Sequence, residues 1–203
     1  MNALAAETGA KRARMVWGAI FVVSMGLAAG TINSVHLGLA GSFAIALIPM
    51  LLLIPFVRAA ERAQREIGCA TSATIRYNRR ILVMSFGDLL ALFSALGITR
   101  QVDVAGPLLW LLAILPTIPI TGMIVTMGRF LVEESDEYQR MRTVRAALVA
   151  TGFVLVLSSF WGFLEMFDLV PHVWMWAVFP AWSIGLGFGQ LANRFLFGDQ
   201  AGC

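Results

Sequence analysis

The chain has 203 residues, of which 59% are hydrophobic and only 13% are charged, and its formal net charge is +3. A soluble domain usually has about 25% charged residues, so this composition excludes an ordinary water-exposed globular protein. The positive charge does not indicate nucleic-acid binding, because the basic residues lie in short segments beside apolar runs, where they orient membrane helices.

Six apolar runs are long enough to cross a bilayer, since about 20 helical residues span a hydrocarbon core of roughly 30 Å. The sequence therefore predicts an all-α polytopic membrane protein with a single transmembrane domain of three helical hairpins. The first run follows a basic segment similar to that of a signal peptide, and we expect it to be retained as a span. The predicted spans are residues 15–35, 40–57, 81–98, 107–128, 144–166 and 173–193.

The lysines and arginines predict the orientation of these spans. Of the 15 basic residues, all except Arg100 lie before span one, between spans two and three, between spans four and five, or after span six. Short loops rich in lysine and arginine stay in the cytoplasm. Both termini are therefore predicted to be cytoplasmic.

A charged bridge, residues 129–145, links spans four and five and contains four carboxylates and four arginines. Ser135 is predicted to cap the next helix, which should begin near Asp136. The i,i+4 pairs Asp136–Arg140 and Arg129–Glu133 favour a self-neutralising helical turn. An alternative is a site that docks a partner protein or lipid headgroups, whose candidate residues are Glu133, Glu134, Asp136, Glu137, Arg140 and Arg142.

Three motifs carry a resemblance: Arg76-Tyr-Asn-Arg79-Arg80, then Glu133-Glu-Ser-Asp-Glu-Tyr-Gln-Arg140, and Trp161-Gly-Phe-Leu-Glu165. The combination resembles a group of small bacterial inner-membrane proteins of unknown function. This resemblance covers about residues 76–195. It implies a bacterial inner-membrane location and a four-helix unit, with residues 1–75 as an N-terminal two-helix addition, and it implies no activity.

Asp88 lies eight residues beyond Arg80, which places it about 12 Å into the membrane. A charged aspartate at the centre of a span costs roughly 2.5–3.5 kcal/mol, so it should face other helices. One interpretation is a proton or cation site. The other is a packing residue that hydrogen-bonds Ser85, Thr121 or a carbonyl freed by the prolines of span four.

Span four contains Pro116 and Pro119, followed by Thr121 and Gly122. Each proline lacks a backbone donor and its ring clashes with a preceding carbonyl, so this helix is predicted to kink or unwind. Transporters use such breaks at mid-membrane to line substrate sites, although kinked helices also occur without a transport role. The break is predicted at about the depth of Asp88.

Glycine motifs occur in the first and last spans. They are Gly26-x-x-x-Gly30 in span one and Gly185-x-Gly187-x-Gly189 in span six. Glycines at this spacing let two helices approach closely. The contact is expected within the chain, with dimerisation as the alternative.

Polar residues also gather at the ends of the spans opposite the basic loops. Two histidines and two carboxylates there are candidates for a metal site, but they come from separate turns and include no i,i+4 ligand pair. An interfacial polar rim is expected instead, with no metal or cofactor. These candidates are His36, Glu165, Asp168 and His172.

No catalytic motif is present in the sequence, which lacks both His-Glu-x-x-His and Gly-x-Ser-x-Gly. The sequence therefore predicts a non-enzymatic accessory or scaffold subunit that packs in the bilayer against a larger membrane complex or a further copy of itself. The alternative is a small proton- or cation-coupled transporter built on Asp88 and the break at residues 116–122.

Overall fold

The computed structural model of the protein describes residues 2–35, 38–66 and 70–196. All regular secondary structure in these ranges is helical. The helices are α1 (Asn2–Ser34), α2 (Leu39–Glu66), α3 (Ser72–Gln101), α4 (Pro107–Ile114), α5 (Thr117–Glu133), α6 (Glu137–Met166) and α7 (Val178–Leu196), with a 3₁₀ turn at Met175–Ala177.

Five helical segments among the described residues are long and apolar enough to cross a membrane, and α4 and α5 together form one of them. This confirms the predicted class, a helical membrane protein. The 19-residue helix α7 is not among the five, because its last two turns contain Gln190, Asn193 and Arg194. The sixth span stays a prediction.

Contacts between residues divide the chain into two compact units, Met1–Glu133 and Glu134–Cys203. The resemblance implies another division, at residue 75, between an N-terminal two-helix addition and a four-helix unit. These contacts do not test that division.

In the first unit, α1 packs side by side and antiparallel with α2, and α2 does the same with α3. The rings of Phe21 in α1 and Phe56 in α2 stack with centroids 6.0 Å apart. Phe43 in α2 and Phe93 in α3 meet edge to face at 5.1 Å. Aromatic pairs in these geometries add stabilisation beyond the burial of their area, so they fix the order α1, α2, α3 across the unit.

In the second unit, small residues let α6 and α7 approach closely. A Cβ atom built on Gly185 would lie 2.9 Å from the Cα atom of Ala150, and one on Gly189 would lie 2.6 Å from that of Ala146. A Cβ on Gly187 would meet nothing within 4 Å. The close contact expected from the glycine motif in span six is therefore confirmed for two of its three glycines.

Helix α6 begins at Glu137, one residue after the predicted start, and its cap is Asp136. Asp136 has the extended conformation of an N-cap, and its Oδ1 accepts a hydrogen bond of 2.9 Å from Tyr138 N. The prediction that Ser135 caps the helix is wrong. Serine and aspartate cap equally well, but a carboxylate also interacts favourably with the helix dipole.

We expect Asp136→Ala to destabilise the start of α6 by about 1 kcal/mol, because the amide of Tyr138 loses its acceptor. Ser135→Ala is the matched control and should leave stability unchanged. Hydrogen exchange of the amides at 137–140, measured in detergent, reports the local opening. Faster exchange in Ser135→Ala than in Asp136→Ala would contradict the assignment.

Candidate functional site at the α3–α5 contact

The predicted break in span four is confirmed at residues 115–116, between α4 and α5. Pro119 has no N–H group and cannot donate to the carbonyl of Leu115. Ile118 N donates to that carbonyl instead, over a long 3.4 Å. The chain therefore turns more tightly at the break than in a regular α-helix.

The two threonines beside the break bond to their own backbone. Thr117 Oγ1 donates to the carbonyl of Ile114 at 2.6 Å. This hydrogen bond links the start of α5 to the end of α4. Thr121 Oγ1 donates to the carbonyl of Thr117 at 2.8 Å. Both hydroxyl protons are used within the segment, so neither is directed at Asp88.

Helix α3 packs directly on the segment that follows the break. A Cβ on Gly87 would lie 3.9 Å from the Cβ and Cγ atoms of Pro119, and one on Gly122 would lie 2.6 Å from the Sδ atom of Met84. Since Asp88 follows Gly87 in the chain, the structure brings Asp88 close to the break, as the sequence predicts.

Asp88 itself is partly exposed and makes no hydrogen bond or ion pair with any residue that the structure describes. The expected bonds to Ser85, to Thr121 and to a freed carbonyl are all missing, so that part of the packing interpretation is wrong. A carboxyl group in an apolar span is costly when it has no partner. A partner from another molecule would relieve this cost.

Near the predicted cytoplasmic end of the same contact, Glu133 joins α5 to α3. Its Oε2 accepts a hydrogen bond of 2.9 Å from Arg76 Nε, and its Oε1 accepts one of 2.7 Å from Arg80 Nη1. We call these three residues the clamp. Among the described residues Arg129 makes no ion pair, so the predicted Arg129–Glu133 pair is wrong.

The other acidic residues of the bridge have partners within the bridge itself. Glu134 is buried, and its Oε1 accepts a hydrogen bond of 3.2 Å from Asp136 N. Arg140 lies 3.8 Å from Glu137, an i,i+3 pair. The predicted Asp136–Arg140 pair is therefore wrong, because the carboxylate of Asp136 turns back to cap α6. Docking of a partner or of lipid at the bridge stays a prediction.

At the other end of α6, Glu165 Oε1 accepts a hydrogen bond from His172 Nδ1. Trp161 Nε1 donates to the carbonyl of Pro171 at 3.2 Å. These two bonds tie the connection after α6 back to the helix. The histidine and the carboxylate thus have a structural explanation as a pair.

The side chain of Asp168 is not part of the Glu165–His172 pair. Its backbone follows the C-terminal end of α6. Its φ of 55° is left-handed, and its N–H donates to the carbonyl of Glu165 at 3.0 Å, as at a helix C-terminus. His36 lies outside the described residues. Within the described ranges, no three His, Cys, Asp or Glu residues gather in a way that would hold a metal ion.

Sequence reasoning missed two features of the structure. The first is Ala146-x-x-x-Ala150, the partner of the glycines of α7, although its spacing in an apolar run is itself a packing signal. The second is the clamp, for which the signal is the i,i+4 spacing of Arg76 and Arg80, which puts both on one face of α3.

Comparison of the chain with protein-family models, with curated proteins and with solved structures finds no match in any of the three. The resemblance in the three sequence motifs therefore stays a hypothesis. Any function has to be inferred from the residues of this chain.

Proposed function

We propose that this protein is a non-enzymatic subunit of a membrane complex, and that Asp88 is its polar contact with a partner helix inside the bilayer. The observation that supports this is the state of Asp88: partly exposed, in the middle of an apolar helix, and without a bond to any described residue. In this proposal the chain has six spans in a bacterial inner membrane, with both termini in the cytoplasm.

The energetics of Asp88 favour a partner. An unpartnered charged aspartate at mid-span costs roughly 2.5–3.5 kcal/mol. A hydroxyl, amide or basic side chain from a neighbouring helix would offset this cost on association. The carboxyl group would then contribute to the choice of partner, because an apolar helix could not satisfy it.

Helix α1 has a second surface on which another helix could pack. Cβ atoms on Gly26 and Gly30 would meet nothing within 4 Å, so the close contact expected there within the chain is not formed among the described residues. Glycines at this spacing favour close packing between membrane helices. This glycine pair supports association of α1 with another protein or with a second copy.

The subunit proposal predicts that Asp88→Leu leaves the isolated chain folded and reduces the co-purifying partner at least tenfold. Since Asp88 bonds to no described residue, its loss should not weaken the protein's own packing. The control is Asp103→Asn, which changes an exposed acid in a loop. The measurements are partner stoichiometry in mild detergent and thermal unfolding of the isolated chain. Unfolding of Asp88→Leu, or unchanged partner content, would contradict the proposal.

A coupled transporter is the second candidate, because the break at residues 115–116 is formed and the next segment packs against Gly87, beside Asp88. Asp88→Asn separates the two functions. The subunit proposal expects the complex to survive and proteoliposomes to show no proton flux under a potassium diffusion potential. A wild-type flux, read with an internal pH-sensitive dye and abolished in Asp88→Asn, would favour transport.

A further inference from the structure

A groove of about 720 Å³ runs along the first unit between α2 and α3. Arg58, Glu61 and Arg79 line one end of it, and almost all of the remaining lining is apolar, reaching Gly87 and Leu90 at the far end. A groove that is charged at one end and apolar along its length matches an amphiphile with a charged headgroup.

The charges at the polar end favour an anion. Arg58 and Arg79 are exposed, and neither makes an ion pair with a residue in the described ranges. The carboxylate of Glu61 accepts a hydrogen bond of 3.1 Å from Asn78 Nδ2. Two guanidinium groups against one carboxylate leave a net charge of +1 there, which suits a phosphate group.

The length of the groove fits one leaflet of a bilayer. Leu90 lies eleven positions after Arg79, which corresponds to about 16 Å along α3, and half of a hydrocarbon core is about 15 Å. Both arginines lie in the segment between spans two and three, on the predicted cytoplasmic side. A headgroup at the arginines would therefore place its acyl chains along the apolar part.

A protein helix fits the groove less well than a lipid does. An apolar helix would leave both guanidinium groups at the polar end without an anion, whereas a phospholipid supplies one. We propose that the α2–α3 groove binds one phospholipid with an anionic headgroup, held by Arg58 and Arg79.

The headgroup contact is tested by titrating the purified protein in detergent with phosphatidylglycerol and with phosphatidylcholine, read by native mass spectrometry. The wild type is expected to prefer phosphatidylglycerol. An arginine near a membrane surface changes affinity for anionic lipid about 5-fold, so Arg58→Gln/Arg79→Gln should weaken binding about 25-fold. Arg62→Gln, an exposed arginine of α2 outside the groove, is the control. An equal loss in the control, or no loss in the double variant, would overturn the proposal.

The acyl-chain contact is tested by filling the groove with Val83→Trp, since Val83 lines the groove and is 61% exposed. This variant should weaken binding of phosphatidylglycerol and leave thermal stability unchanged. Leu92→Trp is the control, because Leu92 is exposed on the same helix and does not line the groove. Unchanged lipid binding in Val83→Trp, or displacement of the lipid by millimolar inorganic phosphate alone, would overturn the proposal in favour of a simple anion site.

This lipid site requires only that α2 and α3 lie in a bilayer. It does not depend on a partner at Asp88, so an experiment that contradicts one proposal leaves the other intact.

Discussion

Gly189→Ala is expected to force α6 and α7 apart, whereas Gly187→Ala on the same helix should be neutral or slightly stabilising. The new Cβ would lie 2.6 Å from both the Cα atom and the carbonyl oxygen of Ala146. These are backbone atoms, so no change of rotamer relieves the clash. We expect a loss of about 1–3 kcal/mol, partly offset by the better helix propensity of alanine. Gly187→Ala creates no clash, so it measures the gain in helix propensity alone.

Gly122→Ala tests whether the kind of neighbour decides the cost. Its Cβ would meet the Sδ atom of Met84 at the same 2.6 Å. A thioether on a flexible side chain can rotate away, so we expect a cost below about 1 kcal/mol. Unfolding free energies in detergent check all three variants. A silent Gly189→Ala would contradict the close α6–α7 contact, and a Gly122→Ala that costs as much would contradict the idea that the kind of neighbour decides the cost.

The features that could be predicted from the sequence are those set by local chemistry. Spans follow from the length and composition of apolar runs, and the break follows from Pro116 and Pro119. The cap of α6 was missed by one residue because Ser135 and Asp136 both suit the position. Local preference cannot choose between two adjacent capping residues; the choice depends on where α5 ends and how the chain turns.

Contacts between distant helices could not be predicted in the same way. The same glycine spacing occurs in α1 and α7. Gly185 and Gly189 of α7 meet another helix, whereas a Cβ on Gly26 or Gly30 of α1 would meet nothing within 4 Å among the described residues. Spacing shows that a close approach is possible, and a facing strip of small residues determines whether it forms. Such a strip exists in α6, at Ala146 and Ala150.

The clamp shows why local charge pairs mislead. An exposed i,i+4 pair such as Arg129–Glu133 contributes little to stability. Glu133 instead accepts from Arg76 and Arg80, with one hydrogen bond at each carboxylate oxygen. Charge-assisted bonds from two donors outweigh the local pair, but their formation depends on how α3 packs against α5.

Asn193→Ala is expected to cost the second unit about 2 kcal/mol of stability, from a lost hydrogen bond and the cavity left behind. Asn193 is fully buried, and its Nδ2 donates to the carbonyl of Arg142 at 2.9 Å. It follows Gly189 by one turn of α7, so the amide continues the line of close contacts with α6. Gln190→Ala removes an exposed amide of the same helix and should change stability by less than about 0.5 kcal/mol.

Asn193→Asp separates the hydrogen bond from the packing, because it keeps the shape of the side chain and replaces the donor with an acceptor. A carboxylate there would face the carbonyl oxygen of Arg142 in a site with no exposed surface. We therefore expect at least the loss seen in Asn193→Ala, measured as unfolding free energy in detergent at pH 7. Wild-type stability in Asn193→Asp would mean that the volume of the side chain holds α7 against α6. A loss in Asn193→Asp with little loss in Asn193→Ala would instead mean that the site tolerates a cavity but not a charge.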